Sequence, residues 1–111
     1  MKGNLCKHLK ESYQVVSWQD FLMQKVAYLF PGQGSQTPGM GKIFSDTEHF
    51  QIARNAGDIL NLDVDELLCS EDVSVLSSTH NAQLAILITS LMAYSSIDKS
   101  EFETTCFAGH S

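Results

Sequence analysis

Two stretches of the sequence bring together residue types that could do chemistry: Phe30-Pro31-Gly32-Gln33-Gly34-Ser35-Gln36, with Gly39-Met40-Gly41-Lys42 just after it, and Ala108-Gly109-His110-Ser111. The first is glycine-rich and followed by a lysine, so phosphate binding is the chemistry to test first. A P-loop needs a glycine five residues before Gly41, where Gln36 stands, and a Ser or Thr after Lys42, where Ile43 stands. The dinucleotide fingerprint fails as well, because Thr37 occupies the place of its third glycine. Two readings of the loop remain. Its glycines could let the backbone approach a ligand closely while Gln33 offers an amide N–H and a polar side chain, the parts of half an oxyanion hole. Alternatively, they are the structural glycines of a tight turn.

The second stretch has the first half of a nucleophile elbow, G-x-S-x-G, in which a serine sits on a strained strand-to-helix turn and small residues two before and two after relieve crowding. Gly109 is in place before Ser111, the last residue of the chain. On its own, Gly-x-Ser is a common tripeptide with little specificity.

The elements that must position these residues can be read from periodicity. Lys25 to Phe30 is a short β-prone apolar run stopped by Pro31-Gly32, which predicts a buried strand feeding the glycine loop. Ser45-Asp46-Thr47-Glu48 has capping-box spacing and predicts a helix from about Asp46 to Leu60, with Phe50, Ala53, Ala56 and Leu60 on one buried stripe. Gly57 lowers the intrinsic helicity of that segment. Asp63 to Leu68 predicts a second, short helix with acid in its first turn, where the helix dipole favours it. Asn81 to Tyr94 is apolar nearly all round and predicts a helix buried on most faces. Glu103 to Ala108 predicts a second strand ending at Gly109-His110-Ser111. The order strand, helices, strand implies an α/β fold with parallel strands and a helical crossover.

Taken together and in order, F-P-G-Q-G-S-Q, the following G-M, and A-G-H-S after a strand resemble the signature of the malonyl-CoA:acyl carrier protein transacylases, a family similar to the acyltransferase domains of fatty-acid and polyketide synthases. The resemblance runs from about Met23 to Ser111. It includes Thr79-x-x-Ala82-Gln83, after which the family usually has Pro and this chain has Leu84. It implies residues 23–111 as the N-terminal, incomplete part of an α/β-hydrolase-like acyltransferase domain truncated at the nucleophile elbow. Residues 1–22 then form a poorly ordered N-terminal extension, or a loose amphipathic helix through Leu5, Leu9, Val15, Val16, Trp18, Phe21 and Leu22.

The activity implied by the resemblance is transfer of a malonyl group from malonyl-CoA to acyl carrier protein in fatty acid synthesis, through a serine acyl-enzyme. Ser111 is then the nucleophile, the Gln33 N–H one oxyanion donor, and Gln83 a polar residue at the substrate. No cofactor is implied, because the coenzyme A thioester is itself substrate. His110 is not the general base. That base and the arginine that pairs with the malonyl carboxylate belong to later parts of the family's sequence. A chain ending at Ser111 would lack both, together with the donor N–H that follows the serine, and would place an α-carboxylate beside an anionic substrate. The expectation is a fragment inactive alone, with a downstream fragment of the same enzyme as a partner. The alternatives are an inactive interaction module, a piece of a polyketide-synthase-type acyltransferase, and an unrelated hydrolase-like fragment.

Composition narrows the field further. Residues 1–22 hold three lysines against Glu11 and Asp20, whereas the remainder carries four basic against eleven acidic residues. Such a chain repels a phosphate backbone, so nucleic acid is not an expected partner, and an acidic carrier protein is expected to bind it poorly. The longest apolar run, Leu84 to Tyr94, is far short of the roughly 20 residues a membrane span needs. The N-terminus has no continuous apolar core of a secretory signal. Cys6, Cys69 and Cys106 form no CxxC pair and, with the scattered His8, His49, His80 and His110, have no metal-ligand spacing. Free thiols fit a reducing, cytoplasmic setting.

Overall fold

A computed structural model describes residues 23–110 of the chain. The N-terminal extension expected over residues 1–22, and Ser111, lie outside the described residues. Two strands, β1 (Gln24–Phe30) and β2 (Phe102–Gly109), pair in parallel, and everything between them forms the crossover. That crossover contains helix α1 (Gln51–Leu60), helix α2 (Val64–Cys69) and helix α3 (Thr79–Ser96), with 3-10 turns at Lys42–Phe44, Glu48–Phe50 and Val73–Leu76. The expected small α/β fold with parallel strands is present.

The core lies among the helices. Phe50, Leu68 and Met92 are its largest fully buried side chains, joined by Ala53, Val64, Leu67, Leu76, Ala85 and Ile88. No strand residue is buried, which corrects the expectation for Lys25–Phe30. A parallel strand is buried only when both faces are covered. Here α3 meets one face, where Val26, Tyr28 and Phe30 are half-buried, and Leu29 on the other face is 76% exposed. The sheet is held to α3 through aromatic contacts. Tyr94 meets Tyr28 edge-on at 4.9 Å and Phe107 at 5.7 Å, and Tyr28 stacks on Phe107 at 5.5 Å.

The capping box at Ser45 does not form. The Ser45 hydroxyl donates to the Lys42 carbonyl at 2.8 Å and the Thr47 hydroxyl to the Phe44 carbonyl at 2.7 Å. Both hydroxyls thus tighten 3-10 turns instead of capping a helix, a competition open to Ser and Thr near any turn. The α-helix consequently starts at Gln51 rather than Asp46. Its buried face is also displaced from the expected stripe. Leu60 is 50% exposed, and Gly57 is buried in its stead. A Cβ at Gly57 would stand 3.0 Å from both the Leu62 carbonyl oxygen and Val64 Cγ1, so the residue that lowers helicity is what lets α1 and α2 meet closely. Asn61, left-handed at φ 54°, ends α1, and the Leu62 N–H closes onto the Gly57 carbonyl at 3.0 Å.

Helix α2 has its acid in the first turn as expected, and Asp63 is its N-cap, accepting from the Glu66 N–H at 3.0 Å. Helix α3 begins two residues before the expected Asn81, because Ser78 caps it by accepting from the Asn81 N–H at 3.1 Å. It is not buried as widely as its composition suggests. Ala82, Ala85, Ile86, Ile88 and Met92 face the interior, while Leu87 and Leu91 are exposed. At its far end Lys99 Nζ donates to the Tyr94 carbonyl at 2.6 Å and sits 4.2 Å from the centre of the Tyr94 ring. No helix among the described residues is long and apolar enough to cross a membrane.

Candidate active site

The crossover returns the chain so that the glycine loop after β1 and the end of β2 stand side by side. The strand pairing runs on past the strands themselves, with the His110 N–H donating to the Phe30 carbonyl at 3.1 Å. Two residues after Phe30, Gly32 lies against His110 so closely that a Cβ there would run into the His110 carbonyl oxygen and come within 2.6 Å of its Nδ1. Only a glycine fits. The two motifs read separately from the sequence are therefore one structural unit, and His110 packs on Gly32.

From Gly32 the loop turns sharply. The Ser35 N–H and hydroxyl both donate to the Gly32 carbonyl, at 3.2 and 2.7 Å, and Gly34 adopts φ 107°, a conformation that disfavours side chains. The Gly34 N–H is taken by Gln36 Oε1 at 2.8 Å. Gln33 stands at the exposed tip. Its N–H has no acceptor among the described residues, whereas its side-chain Nε2 donates to Thr79 Oγ1 at 3.3 Å. The Gly34 and Ser35 amides are satisfied within the turn while that of Gln33 is not, and the Gln33–Thr79 contact ties the loop to the first turn of α3. Gln83 is four residues after Thr79, on the same side of the helix, and is exposed. Gln33, Thr79, Gln83 and His110 thus belong to one end of the fold. Ser111, bonded to His110, lies outside the described residues.

The second half of the glycine motif has a different job. The Gly41 N–H donates to the Leu68 carbonyl at 2.9 Å, and a Cβ at Gly41 would stand 2.7 Å from Leu68 Cβ. Lys42 reaches Glu71 across 3.5 Å of exposed surface. This segment anchors the loop to α2 rather than cradling an anion, in agreement with the failed P-loop match.

Other polar groups are engaged away from this end. His49 Nδ1 pairs with Ser95 Oγ at 3.1 Å. The only arginine of the chain, Arg54, lies 3.9 Å from the Asp65 carboxylate and 5.0 Å from the centre of the Phe50 ring. Burial pushes the Cys69 thiol above its ordinary value, with the Asp65 carboxylate adding to the shift. No group of three His, Cys, Asp or Glu among the described residues could hold a metal ion. Thr79 was legible only as part of a sequence motif. Its hydrogen bond to Gln33 joins residues 46 positions apart, a contact that no local pattern announces.

No family model and no solved structure matches the chain. Curated proteins do. A malonyl CoA-acyl carrier protein transacylase of Bacillus subtilis is 45% identical over 76 residues, covering 65% of this chain and 18% of the relative. Another, from Bacillus subtilis (strain 168), is 36% identical over 91 residues, covering 80% of this chain and 29% of the relative. A polyketide biosynthesis malonyl CoA-acyl carrier protein transacylase, PksC of the same strain, is 33% identical over 87 residues, covering 78% and 30%. The chain spans less than a third of the length of each. It is homologous, over most of its own length, to part of the malonyl CoA-acyl carrier protein transacylases.

Proposed function

We propose that this chain carries the nucleophile and one oxyanion donor of a serine acyltransferase that moves malonyl groups from coenzyme A to acyl carrier protein. The observation that supports this reading is the seat of His110 against Gly32, next to Gln33, whose N–H has no acceptor among the described residues. In the first half-reaction Ser111 Oγ attacks the malonyl thioester carbonyl. The Gln33 N–H donates to the oxyanion that develops, and collapse breaks the C–S bond and releases coenzyme A as its thiol, the serine proton passing to it through a general base. In the second, the phosphopantetheine thiol of acyl carrier protein gives its proton to the base and attacks the Ser111 ester carbonyl, the C–O bond to Oγ breaks, and Oγ takes that proton. Gln83 contributes a polar side chain beside the substrate. No cofactor takes part.

The base and the cation for the malonyl carboxylate come from polypeptide outside these 111 residues. Arg54 is held at α1 by Asp65 and Phe50, and His49 is held by Ser95, so neither serves the loop. The setting is cytoplasmic, where malonyl-CoA and the carrier protein meet. The test is transfer by a fusion that joins this chain to the unmatched part of the Bacillus subtilis (strain 168) relative. The fusion should malonylate acyl carrier protein, and Ser111→Ala should abolish transfer. Transfer that survives Ser111→Ala would refute the assignment.

A further inference from the structure

The β1–β2 sheet is unfinished on three counts. Among the described residues each strand has a single neighbour, so each presents one outer edge whose backbone N–H and C=O groups lack ladder partners there. The face turned away from α3 is apolar and bare. Register pairs Ala27 with Cys106 and Leu29 with Ala108, and all four are exposed. The Thr105 bulge fixes this arrangement: the register shifts between Val26 and Ala27, and the Thr105 hydroxyl closes onto the Val26 carbonyl at 2.8 Å. It sets Phe107 among the aromatics on the α3 side and leaves Cys106 and Ala108 outward.

The third count is on the α3 side. A cavity of about 260 Å³ lies between β1 and α3, walled chiefly by Phe30, Met40, Ala93, Tyr94 and Ile97. Two buried hydroxyls belong to its lining, Tyr28 Oη and Thr89 Oγ1, and neither has a hydrogen-bond partner among the described residues. A buried hydroxyl without a partner costs about 1–3 kcal/mol, so two in one cavity point to a complementary group that the described residues do not supply.

We propose that the bare sheet face, the open edges and this cavity together seat a single partner, the polypeptide that makes up the rest of a transacylase. This rests on the function proposed above and names the surface through which the site is completed. The size of that partner follows from the comparisons, since the chain covers only 18% to 30% of the matched relatives. A partner of that length can add strands beside β1 and β2, cover Leu29 with an apolar layer, and place an apolar side chain with a hydrogen-bonding group between Tyr28 and Thr89. Parallel sheets are stable when covered on both faces, and the partner supplies the missing cover.

The test is association of the 111-residue chain with the unmatched part of the Bacillus subtilis (strain 168) relative, expressed as a separate polypeptide. A one-to-one complex is expected, with amide exchange in β1 and β2 slowed at least tenfold. Leu29→Asp should weaken the complex at least tenfold while leaving the circular dichroism of the chain alone unchanged, because Leu29 is exposed and faces away from α3. Thr89→Val should weaken association without weakening the chain alone. Absence of a complex, or a complex indifferent to Leu29→Asp, overturns the proposal. So does a dimer of the chain alone with protected strands, which assigns the face to a second copy. Faster strand exchange on deletion of residues 1–22 assigns it to that segment and also overturns the proposal. A complex that forms but transfers no acyl group leaves this surface standing and removes the proposed function. A covalent fusion that transfers acyl groups despite Leu29→Asp does the reverse.

Discussion

Two glycines in neighbouring motifs do unlike work, and the difference is set by what each one touches. Gly32 is small so that the loop can rest on His110, and Gly41 is small so that the same loop can rest on Leu68. Gly32→Ala should leave helix content and unfolding midpoint almost unchanged, because Gly32 is remote from the core cluster. It should nonetheless lower kcat/KM of the fused enzyme by about 100-fold, since displacement of positioned groups by about 1 Å has that effect. Steady-state transfer assays and circular dichroism on the same protein check the pair. Gly41→Ala should do the opposite kind of damage. Its Cβ would press on a fully buried leucine, and overpacking of this kind destabilises by about 1–3 kcal/mol, measurable as a lower urea midpoint.

The helices owe their limits to single side chains, and those limits decide how well the sequence foretold them. Asp63 caps α2, and Asp63→Ala should lower stability by about 1 kcal/mol in urea titration. Two exposed carboxylates work the same way in tight turns. Asp72 is held below its ordinary value of 3.8 by the Ser74 N–H, and Asp98 likewise by the Ser100 N–H. Because the folded values are depressed, their contribution is complete above 3.8 and is lost as pH falls through the folded values. The urea midpoint should therefore drop below pH 3.8, and Asp72→Ala with Asp98→Ala should show a smaller drop, most clearly at low salt.

The strands, the parallel pairing and the acid-capped α2 were legible because each rests on a local pattern. The Ser45 capping box misled because spacing does not reveal that Ser45 and Thr47 donate to preceding carbonyls. The early start of α3 was available in Ser78, a cap residue just ahead of the periodic run. The exposure of Leu60 was not available, since it depends on Gly57 meeting Val64 from the next helix. At the site, the nearness of the glycine loop to the end of β2 follows from the parallel pairing read in the sequence, whereas the Thr79 contact to Gln33 needed the fold.

At the scale of the whole molecule, a complete helical core is joined to an incomplete sheet. Helices α1, α2 and α3 bury a continuous cluster, whereas the strands are at most half-buried. Within this division the glycine loop stands against the end of β2. Where the acyl group goes is the most direct measurement. The fused enzyme, mixed with malonyl-CoA, quenched and digested, should carry a malonyl ester on the Ser111 peptide by mass spectrometry, and the 111-residue chain alone should carry none. A malonyl group on any other residue of the fusion, or on Ser111 in the chain alone at a comparable rate, would contradict the account.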